Sequence, residues 1–504
     1  MKILNNHLVF RHDNPDAIPL PKKVAQGWVA VPFSVQAAQV LRAMGMDAPS
    51  PISTDYDWSG RFTPYEHQRN TSEFLSLNKR AFCLSGMGTG KTLSALWAAD
   101  YLMSSGIINR VLILSPLSTL DVVWAREIFT NFPHRTYAVL HGESSKRKTL
   151  LKEKKDFYIL NHDGIKVLEK ELQDRPDINL IILDELACFR NSQTSRWKIA
   201  KKLLTADKWV WGMTGSPTPQ APTDAYGQAK LLKPENIQSS FTRFKNDIML
   251  QCGPFKWVPR KNAEQTVARV LSPSIRYALR ECVDLPDTII QYRSVDMTPE
   301  QKHHYSKLLK ECVTEVRGST VTAVNAAVLL SKIIQAATGV IYGNDKEILK
   351  IDCSHRINEL LDIIGECDEK VIVFVPLTGA LNHVKSMVEK EGYTVGVVDG
   401  STSPNKRREI FDAVQNGNVK VLIANPQAMA HGISLTAAST IVYFAPPFSA
   451  EVYEQSAARV VRPGQKNVTN IINISATKEE VKIYKGLQEK KKFLDTVLEI
   501  VKNN

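Results

Sequence analysis

The sequence predicts an α/β protein built from two tandem parallel-sheet lobes. Short apolar runs alternate with helical patterns, polar motifs follow the ends of those runs, and this alternation occurs twice along the chain. Parallel strands bring their carboxyl ends, and the loops that follow them, to one edge of the sheet. We therefore expect ligand-binding residues along one edge of each lobe.

The pattern divides the chain into four segments. The predicted segments are an N-terminal accessory region at 1–60, a first lobe at 61–285 with a helical insertion from about 235, a second lobe at 286–475 with a helical insertion at about 299–350, and a C-terminal helical segment at 476–504. Within the first segment we expect a small lobe around Trp28–Pro32, a helix near Val35–Met44 and a linker from Pro49 to Gly60. No chemistry is evident there.

Composition narrows the class of protein. The chain has 504 residues and 43% hydrophobic content, and its 64 Lys and Arg residues exceed 52 Asp and Glu residues, a net charge of +12. Such an excess suggests a polyanionic partner, and a merely solubilising surface is the alternative. Seven cysteines without a Cys-x-x-Cys pair favour reduced thiols in a cytosol. Neither a signal peptide nor an apolar run of membrane-spanning length is visible, so we expect a soluble cytoplasmic protein without a membrane partner.

The first strand of lobe one leads into a glycine-rich turn. The apolar run Ala81–Leu84 is followed by Ser85–Thr92, and a helical pattern starts at Leu93. Strand, glycine turn and helix form a phosphate cradle, in which Lys91 reaches the β- and γ-phosphates and Thr92 holds Mg²⁺. The glycines that allow the backbone to approach phosphate are Gly86, Gly88 and Gly90. A first-position glycine is usual in this pattern, and here the residue is Ser85.

Two polar residues precede the cradle by about 20 positions. Tyr65 and Gln68 lie there, and the glutamine amide offers the donor and acceptor that an adenine edge requires. We therefore assign Tyr65 and Gln68 to nucleotide binding.

After the cradle, a second strand at 110–116 ends in Pro116, and a predicted helix carries Trp124 and Glu127.

A later strand of lobe one ends in two carboxylates. The run 179–183 leads to Asp184 and Glu185, so Asp184 is a candidate Mg²⁺ ligand and Glu185 a candidate for polarising the attacking water. A surface acidic pair is the alternative. The strand Trp209–Met213 then leads to the polar turn Thr214–Pro217, whose hydroxyls can sense the γ-phosphate.

The second lobe shows strand patterns without a phosphate cradle of its own. Its predicted strands are 370–376, 394–399, 420–425, 440–444 and 468–474, with helices at Lys406–Val414 and Ala450–Val461 among them. Arg459 and Arg462 lie three residues apart, so one helical face would present both guanidinium groups to a shared cleft. A pair of exposed helix arginines is the alternative interpretation.

Basic residues punctuate the start of the region 235–350. Six cations stand between positions 243 and 269, namely Arg243, Lys245, Lys256, Arg260, Lys261 and Arg269. Two interpretations stay open for this cluster. The cations contact a phosphate backbone, or they form a solvated face. The same region contains helical patterns at Pro299–Val316 and Ala323–Ala337.

Taken together and in order, these motifs resemble those of a superfamily-two helicase-like motor, and more narrowly a Swi/Snf-type double-stranded DNA translocase. The resemblance covers about residues 61–475, and its most specific part is the segment Gln455–Gln465, in which Gln455, Arg459 and Arg462 match the family pattern. The other matching segments are Gln68, Gly86–Thr92, Pro116 with Trp124 and Glu127, Asp184–Glu185, Thr214–Pro217, 287–305, Asp399–Thr402 with Arg407 and Arg408, and 432–436.

Some positions depart from the family pattern. The residues after Asp184–Glu185 are Leu-Ala, Ser216 stands where Thr is usual, Pro463 replaces Ile, and Ala430-His431 precede Gly432 where glycines are common. The lysine, the two acids and the arginines are all present. The overall pattern resembles the stand-alone forms of bacteria and phages.

The resemblance implies a two-lobed, RecA-like ATPase with ATP and Mg²⁺ as its cofactors. ATP would lie between the lobes, bound by the cradle and by Gln68, with Gly432, Gln455 and the two arginines contributed by lobe two. The motor would translocate on double-stranded DNA and remodel forks, branched DNA or protein–DNA complexes in a bacterial or phage-infected cytoplasm. The alternatives are a strand-separating DNA or RNA helicase, the motor subunit of a nuclease complex, and a nucleotide switch without turnover.

Overall fold

A computed structural model describes residues 1–58, 60–253, 257–307, 331–342, 348–429 and 434–489. The chain forms two compact units, Met1–Cys282 and Val283–Asn504. Each unit is built around its own parallel sheet, which confirms the predicted α/β class with two parallel-sheet lobes.

The N-terminal residues of unit one form a small antiparallel sheet. Its strands are β1 (Lys2–Leu4), β2 (His7–Arg11), β3 (Lys23–Ala25) and β4 (Trp28–Pro32), in the order β1-β2-β4-β3. Two-residue turns with positive φ, at Asn5–Asn6 and Gln26–Gly27, connect the hairpins. Such turns match the right-handed twist of paired strands, and Asn and Gly adopt positive φ most readily.

The predicted linker from Pro49 to Gly60 is wrong, because the segment packs against the first lobe. It contains the helix Pro51–Asp55, and the Tyr56 hydroxyl then donates to the buried Asp100 carboxylate at 2.6 Å. Trp58 meets Trp97 edge to face with 5.8 Å between ring centroids. These aromatic side chains bury apolar area that a linker would leave exposed. The N-terminal sheet and lobe one therefore share one hydrophobic core.

The main sheet of unit one has seven parallel strands in the order β13-β5-β10-β9-β6-β8-β7. The strands are β5 (Arg80–Cys83), β6 (Arg110–Ser115), β7 (Tyr137–Val139), β8 (Phe157–Asn161), β9 (Ile178–Asp184), β10 (Trp209–Met213) and β13 (Ser274–Ile275). The central strands are mainly apolar because helices cover both faces of the sheet. A separate hairpin is formed by β11 (Met249–Gln251) and β12 (Trp257–Pro259).

Helices surround this sheet. The α-helices of unit one are Val35–Ala43, Pro51–Asp55, Glu66–Leu77, Lys91–Ser104, Arg126–Asn131, Ser144–Lys152, Glu169–Gln173, Ser195–Leu203, Ala225–Leu232, Phe241–Ile248, Ala263–Val270 and Leu279–Cys282. Trp124 lies in the wide helical turn Leu120–Ala125, which runs directly into the helix Arg126–Asn131.

Unit two has a six-stranded parallel sheet in the order β14-β21-β20-β17-β19-β18. Its strands are β14 (Thr288–Ser294), β17 (Lys370–Phe374), β18 (Val395–Val398), β19 (Val421–Ala424), β20 (Ala438–Tyr443) and β21 (Thr469–Ser475), and a hairpin is formed by β15 (Val340–Tyr342) and β16 (Ile348–Lys350). Its described α-helices include Ser354–Glu366, Thr378–Lys390, Pro404–Gln415, Ala450–Ala457 and Lys478–Gln488.

Several details differ from the sequence prediction. The region 235–350 is not purely helical, because β13 joins the first sheet and β14 joins the second, while one hairpin precedes β13 and another follows β14. Of the two helices predicted at about 299–350, the described parts are helical at 299–307 and 331–337, and the remainder lies outside the described residues. No helix within the described part of the chain is long and apolar enough to cross a membrane.

Candidate nucleotide-binding site

The predicted phosphate cradle, Ser85–Thr92, follows β5 and is called the phosphate loop below. Tyr277, far along the chain, holds its first two residues. The Ser85 side chain is 2% exposed, and its hydroxyl accepts a hydrogen bond from the Tyr277 N–H at 3.1 Å. The Gly86 N–H in turn donates to the Tyr277 carbonyl at 2.8 Å. Serine in place of the usual glycine therefore has a structural explanation, because its hydroxyl accepts from the Tyr277 N–H, for which glycine has no acceptor.

Two loop glycines adopt a backbone conformation that other residues disfavour. Gly88 and Gly90 have φ of 79° and 77°. A Cβ on Gly90 would lie 2.0 Å from Gln68 Nε2. Gly86 is different, because it lacks a positive φ and its nearest neighbour would be the Tyr277 carbonyl oxygen at 3.6 Å. Gly90 thus allows both the turn and the close approach of Gln68.

The Lys91 ammonium lies at the mouth of the loop. Its Nζ donates to the carbonyl oxygens of Ser85 and Gly86, each at 2.8 Å. The Lys91 charge also lowers the pKa of the Asp184 carboxyl, although less than burial raises it. The structure therefore brings Lys91 and Asp184 into one electrostatic environment.

Gln68 packs beside the loop and also caps a helix. Its Oε1 accepts from the Tyr65 N–H at 3.0 Å, which satisfies a donor at the start of the helix Glu66–Leu77. Its Nε2 lies 3.5 Å from the Thr89 carbonyl oxygen. Between the two predicted residues, His67 Nε2 donates to the same carbonyl at 2.9 Å. Tyr65 itself is exposed and stacks on His67 at 5.7 Å between ring centroids.

The Asp184 carboxylate is held at the end of β9. Its Oδ2 accepts from the Trp124 indole N–H at 2.9 Å, and its Oδ1 accepts from the Glu185 N–H at 3.1 Å. Burial raises the pKa of Asp184, while the Trp124 hydrogen bond, the Lys91 charge and the Glu185 N–H lower it. A buried carboxylate that gains from a nearby cation is a suitable hard-oxygen ligand for Mg²⁺.

Glu185 stands in a left-handed conformation with φ of 53°. Its Oε1 accepts from the Thr214 hydroxyl at 2.8 Å, and the Thr214 Oγ1 accepts from the Ser216 N–H at 3.2 Å. A positive φ is uncommon outside glycine and costs about 1–3 kcal/mol, and such strain concentrates at functional sites. The carboxylate of Glu185 is thereby linked to the polar turn that follows β10.

That turn also packs against the phosphate loop. A Cβ on Gly215 would lie 3.4 Å from the backbone nitrogen of Met87. The loop, the two acids and the Thr214 turn therefore meet at one edge of the unit-one sheet. A glycine cradle with a nearby ammonium and a buried carboxylate fits a nucleoside triphosphate, and the hydroxyl and carboxylate oxygens fit Mg²⁺.

In unit two, the predicted helical face with two arginines is wrong. The helix ends at Ala457, before Arg459 and Arg462. Two β-branched residues and Pro463 follow, and proline disfavours helical conformation at the preceding residue. Arg459 is 8% exposed, with its Nε donating to the Gln455 carbonyl at 3.0 Å, whereas Arg462 is half-buried.

The remaining predicted residues of unit two are placed as follows. Gln455 is buried, and its Nε2 donates to Glu451 Oε1 at 3.1 Å. Gly432 lies outside the described residues. The Asp399 carboxylate accepts from the Ser401 hydroxyl at 2.7 Å, and this hydrogen bond is the main reason that the pKa of Asp399 is lowered. Arg407 donates to the Asp399 carbonyl at 3.0 Å and so braces this loop.

The basic insertion of unit one contains an open pocket of about 850 Å³ between the hairpin and its two flanking helices. Arg260, Lys261 and Arg269 line it. Arg260 Nε donates to the carbonyls of Asn246 and Met249 at 3.1 and 3.2 Å, and the Lys245 ammonium lies 3.7 Å from the Trp257 ring centroid. Lys256 is outside the described residues.

Sequence reasoning missed three residues that support the site. Tyr277 holds Ser85 and Gly86, His67 holds the Thr89 carbonyl, and His162 Nε2 donates to the Asp184 carbonyl at 2.7 Å. His67 was signalled by its place between Tyr65 and Gln68, and His162 by its place after β8. No sequence signal could identify Tyr277, which lies 192 residues from Ser85.

Family models match most of the chain. A model of the SNF2-related domain matches residues 74–338, and a model of the helicase conserved C-terminal domain matches residues 355–464. The chain is 26% identical over 419 residues to protein p41 of Acyrthosiphon pisum secondary endosymbiont phage 1, covering 79% of this chain and 88% of p41.

Two further proteins are similar. The uncharacterised ATP-dependent helicase MG018 of Mycoplasma genitalium is 24% identical over 403 residues, which cover 77% of this chain and 37% of that helicase. The chain thus spans little more than a third of this longer relative. Among solved structures, the Sulfolobus solfataricus SWI2/SNF2 ATPase core in complex with double-stranded DNA is 22% identical with a TM-score of 0.42, covering 86% of this chain and 92% of that one.

Proposed function

Because the chain belongs to the SNF2-related family, whose domain model matches residues 74–338 of its 504, we propose that it is a DNA-dependent ATPase that translocates on double-stranded DNA. One observation carries the proposal. The phosphate loop, the Asp184–Glu185 pair and the Thr214 turn lie together at one sheet edge, with the Lys91 charge acting on Asp184. This is the set of groups that phosphoryl transfer to water requires.

Each residue has a distinct role in the proposed hydrolysis. Lys91 binds β- and γ-phosphate oxygens, exchanging its present carbonyl contacts for stronger charge-assisted ones. Thr92 and Asp184 would hold Mg²⁺, which when bound neutralises charge that develops on the phosphates. Glu185 orients and polarises the attacking water, and Thr214 holds the Glu185 carboxylate in place.

Binding of the base is assigned to Tyr65 and Gln68. The Gln68 amide already contacts the phosphate loop at the Thr89 carbonyl, so one side chain can bind the base and contact the loop together. Its contacts with the Tyr65 N–H and the Thr89 carbonyl use one lone pair of the amide oxygen and one hydrogen of the NH₂ group, which leaves a second acceptor site and a second donor for an adenine edge. We also assign nucleotide contacts to Gly432 and Gln455, as the family pattern implies.

Arg459 and Arg462 of unit two are proposed to stabilise the charge that develops in the transition state. Arg462 is the better candidate for phosphate contact because it is more exposed, whereas the Arg459 guanidinium is buried and bonded to Gln455. A finger arginine contributes about 10³–10⁵ in rate. Arg462→Ala should therefore bind DNA and ATP normally and hydrolyse ATP at least about 10³-fold more slowly.

Double-stranded DNA is the proposed partner, and the net charge of +12 supports binding to its phosphates. The cations around the pocket of the unit-one insertion are candidates for some of these phosphate contacts. Tracking the phosphates of an intact duplex avoids the cost of strand separation, about 1.4 kcal/mol per base-pair step in stacking. Forks, branched DNA and protein–DNA complexes are the substrates that such a motor would remodel.

The deciding experiment compares two substrates with ATP present. A triplex loses its third strand when a motor passes along the duplex, whereas a tailed duplex loses a strand only when a helicase separates it. We expect triplex displacement and little release from the tailed duplex. Efficient unwinding of the tailed duplex without triplex displacement would instead identify a conventional helicase, the main alternative, or the unwinding motor of a nuclease complex.

Two variants serve as matched controls for that experiment. Lys91→Ala should weaken ATP binding and abolish displacement, because it removes a phosphate contact. Glu185→Gln should bind ATP with near-normal affinity and also fail, because only the activation of water is lost. Normal hydrolysis by Glu185→Gln would refute the assignment of the general base.

A further inference from the structure

The N-terminal antiparallel sheet has one buried face and one outer face. Leu8 and Phe10 of β2 and Val29 and Val31 of β4 are buried in the core shared with lobe one. Successive residues of a strand point to opposite faces, so the residues between them lie on the outer face. The outer positions of these two strands are His7, Val9 and Arg11 on β2 and Trp28, Ala30 and Pro32 on β4.

Cations and one large aromatic ring gather on this outer face. Lys2 pairs with Val9 and Lys23 with Ala30, and cross-strand partners share a face. We name the outer surface formed by Lys2, Arg11, Lys23 and Trp28 the basic face. The four strands contain no Asp or Glu. The first 60 residues have five basic and five acidic residues, so composition alone conceals this local positive charge.

The aromatic ring of the basic face lies at the first residue of β4 and is open to solvent. Trp28 is 41% exposed, and the Arg11 guanidinium carbon lies 4.9 Å from its ring centroid. Arg11 and Trp28 are also direct partners in the β2–β4 ladder, so the sheet fixes their relative position. An exposed aromatic ring stacked with a guanidinium presents a flat surface on which a nucleobase can stack, with cations around it to bind phosphates.

We propose that the basic face binds the unpaired nucleotides of single-stranded DNA. Charge complementarity supports a polyanion, and the exposed ring favours unpaired bases over duplex, because the bases of a duplex are already stacked with one another. The domain model of the family starts at residue 74, so this surface lies outside the matched region. Combined with the proposed function, on which this last step rests, the basic face would direct a duplex motor to DNA that carries an unpaired segment.

The test measures equilibrium binding of the full chain to a labelled single-stranded oligonucleotide, without nucleotide. Trp28→Ala should weaken this affinity by about 5- to 150-fold, the range for loss of one stacked base. Trp28→Phe should retain most of it, because a ring remains. Lys23→Ala should reduce the slope of log affinity against log salt by about 0.7, the value for one single-strand phosphate contact.

Lys22→Ala is the matched charge control. It removes the same charge one residue away, but the Lys22 ammonium donates to the Ile18 carbonyl at 2.9 Å and does not belong to the basic face. We therefore expect wild-type binding and salt dependence from Lys22→Ala. If Lys22→Ala and Lys23→Ala behave alike, the binding is nonspecific and the proposal is overturned.

A second measurement separates this proposal from the proposed function. ATPase stimulation by blunt duplex should be unchanged in Trp28→Ala, which also shows that the variant is folded. Loss of single-strand affinity with intact duplex stimulation supports the basic face. The proposal is overturned if Trp28→Ala leaves the single-strand affinity unchanged. It is also overturned if Trp28→Ala and Trp28→Phe lose single-strand affinity and duplex stimulation to the same extent. If the wild-type chain is not stimulated by any DNA, translocation fails, while the single-strand binding result stands by itself.

Discussion

Replacing Gly90 with alanine would put a methyl group where the phosphate loop holds the Gln68 amide. The added Cβ would lie 2.0 Å from Gln68 Nε2, and the backbone φ of 77° disfavours any side chain. The left-handed conformation costs about 1–2 kcal/mol for a residue with a Cβ. Displacing Gln68 also removes its hydrogen bond to the Tyr65 N–H, about 1 kcal/mol. The expected loss in the free energy of unfolding is therefore about 2–3 kcal/mol.

Tryptophan fluorescence is suited to this measurement. All eight tryptophans lie between positions 28 and 257, so their emission follows the unfolding of Met1–Cys282 alone. For a unit of this size we expect Gly90→Ala to lower its melting temperature by roughly 3–5 °C. Gly86→Ala is the matched control, because its Cβ would make ordinary contact at 3.6 Å. That variant should melt within about 2 °C of the wild-type chain.

A double-mutant cycle with Gln68→Ala separates the two contributions. Without the Gln68 side chain, Gly90→Ala should cost only the backbone strain of about 1–2 kcal/mol. The difference between the two backgrounds measures the contact between Gly90 and Gln68. The reasoning is refuted if Gly90→Ala and Gly86→Ala have the same melting temperature. The contact is refuted if Gly90→Ala lowers the free energy of unfolding equally with and without the Gln68 side chain.

Three further predictions follow from buried charges and hydrogen bonds. Burial raises the pKa of Asp184 above its usual 3.8, so the ionised carboxylate destabilises the native chain. Asp184→Asn should therefore abolish ATPase activity but raise the melting temperature at pH 8. This gain in melting temperature should disappear as the pH approaches 4. A greater gain at pH 4 would contradict this. Arg356 and Glu480 form an ion pair at 2.7 Å with 1% and 0% side-chain exposure. Arg356→Met alone should cost about 3–5 kcal/mol of stability by circular dichroism, and adding Glu480→Leu should restore most of it, whereas an additive loss would show that the charges are uncoupled. Thr214→Val should slow ATP turnover by about 10- to 100-fold without weakening ATP binding, because it removes the hydroxyl bound to Glu185, while Thr214→Ser should stay near wild type in a single-turnover assay.

The parts of the fold that sequence could predict are those with strong local signals. Strands β5, β6, β9 and β10 are continuous apolar runs, and all were predicted within one or two residues of their observed bounds. The phosphate loop was equally recognisable because its glycines, lysine and threonine all fall within the seven residues 86–92. Local patterns suffice where a segment is buried on all sides, since its hydrophobicity then depends little on which neighbours cover it.

Short elements and tertiary contacts were not predictable in this way. Strand β13 is only two residues long, and the strands of the N-terminal sheet are three to five, too short for a reliable alternation. The segment around Tyr56 and Trp58 looked like a linker because its proline and polar content masks two aromatic residues that pack on lobe one. The burial of Arg459 likewise depends on backbone turns beyond Ala457, which the helical spacing of the arginines did not reveal.

Strand order explains why the site has the contacts it has. The predicted motifs each follow a strand, but sequence does not say which strands are neighbours. In the sheet, β9 lies between β10 and β6, so the acids at its end stand between the Thr214 turn after β10 and the Trp124 segment after β6. Thr214 consequently binds Glu185 and Trp124 binds Asp184, although they are 29 and 60 residues apart in sequence. The two carboxylates thus receive different partners from opposite neighbours, and this difference supports the separate roles that we propose for Asp184 at the metal and for Glu185 at the attacking water.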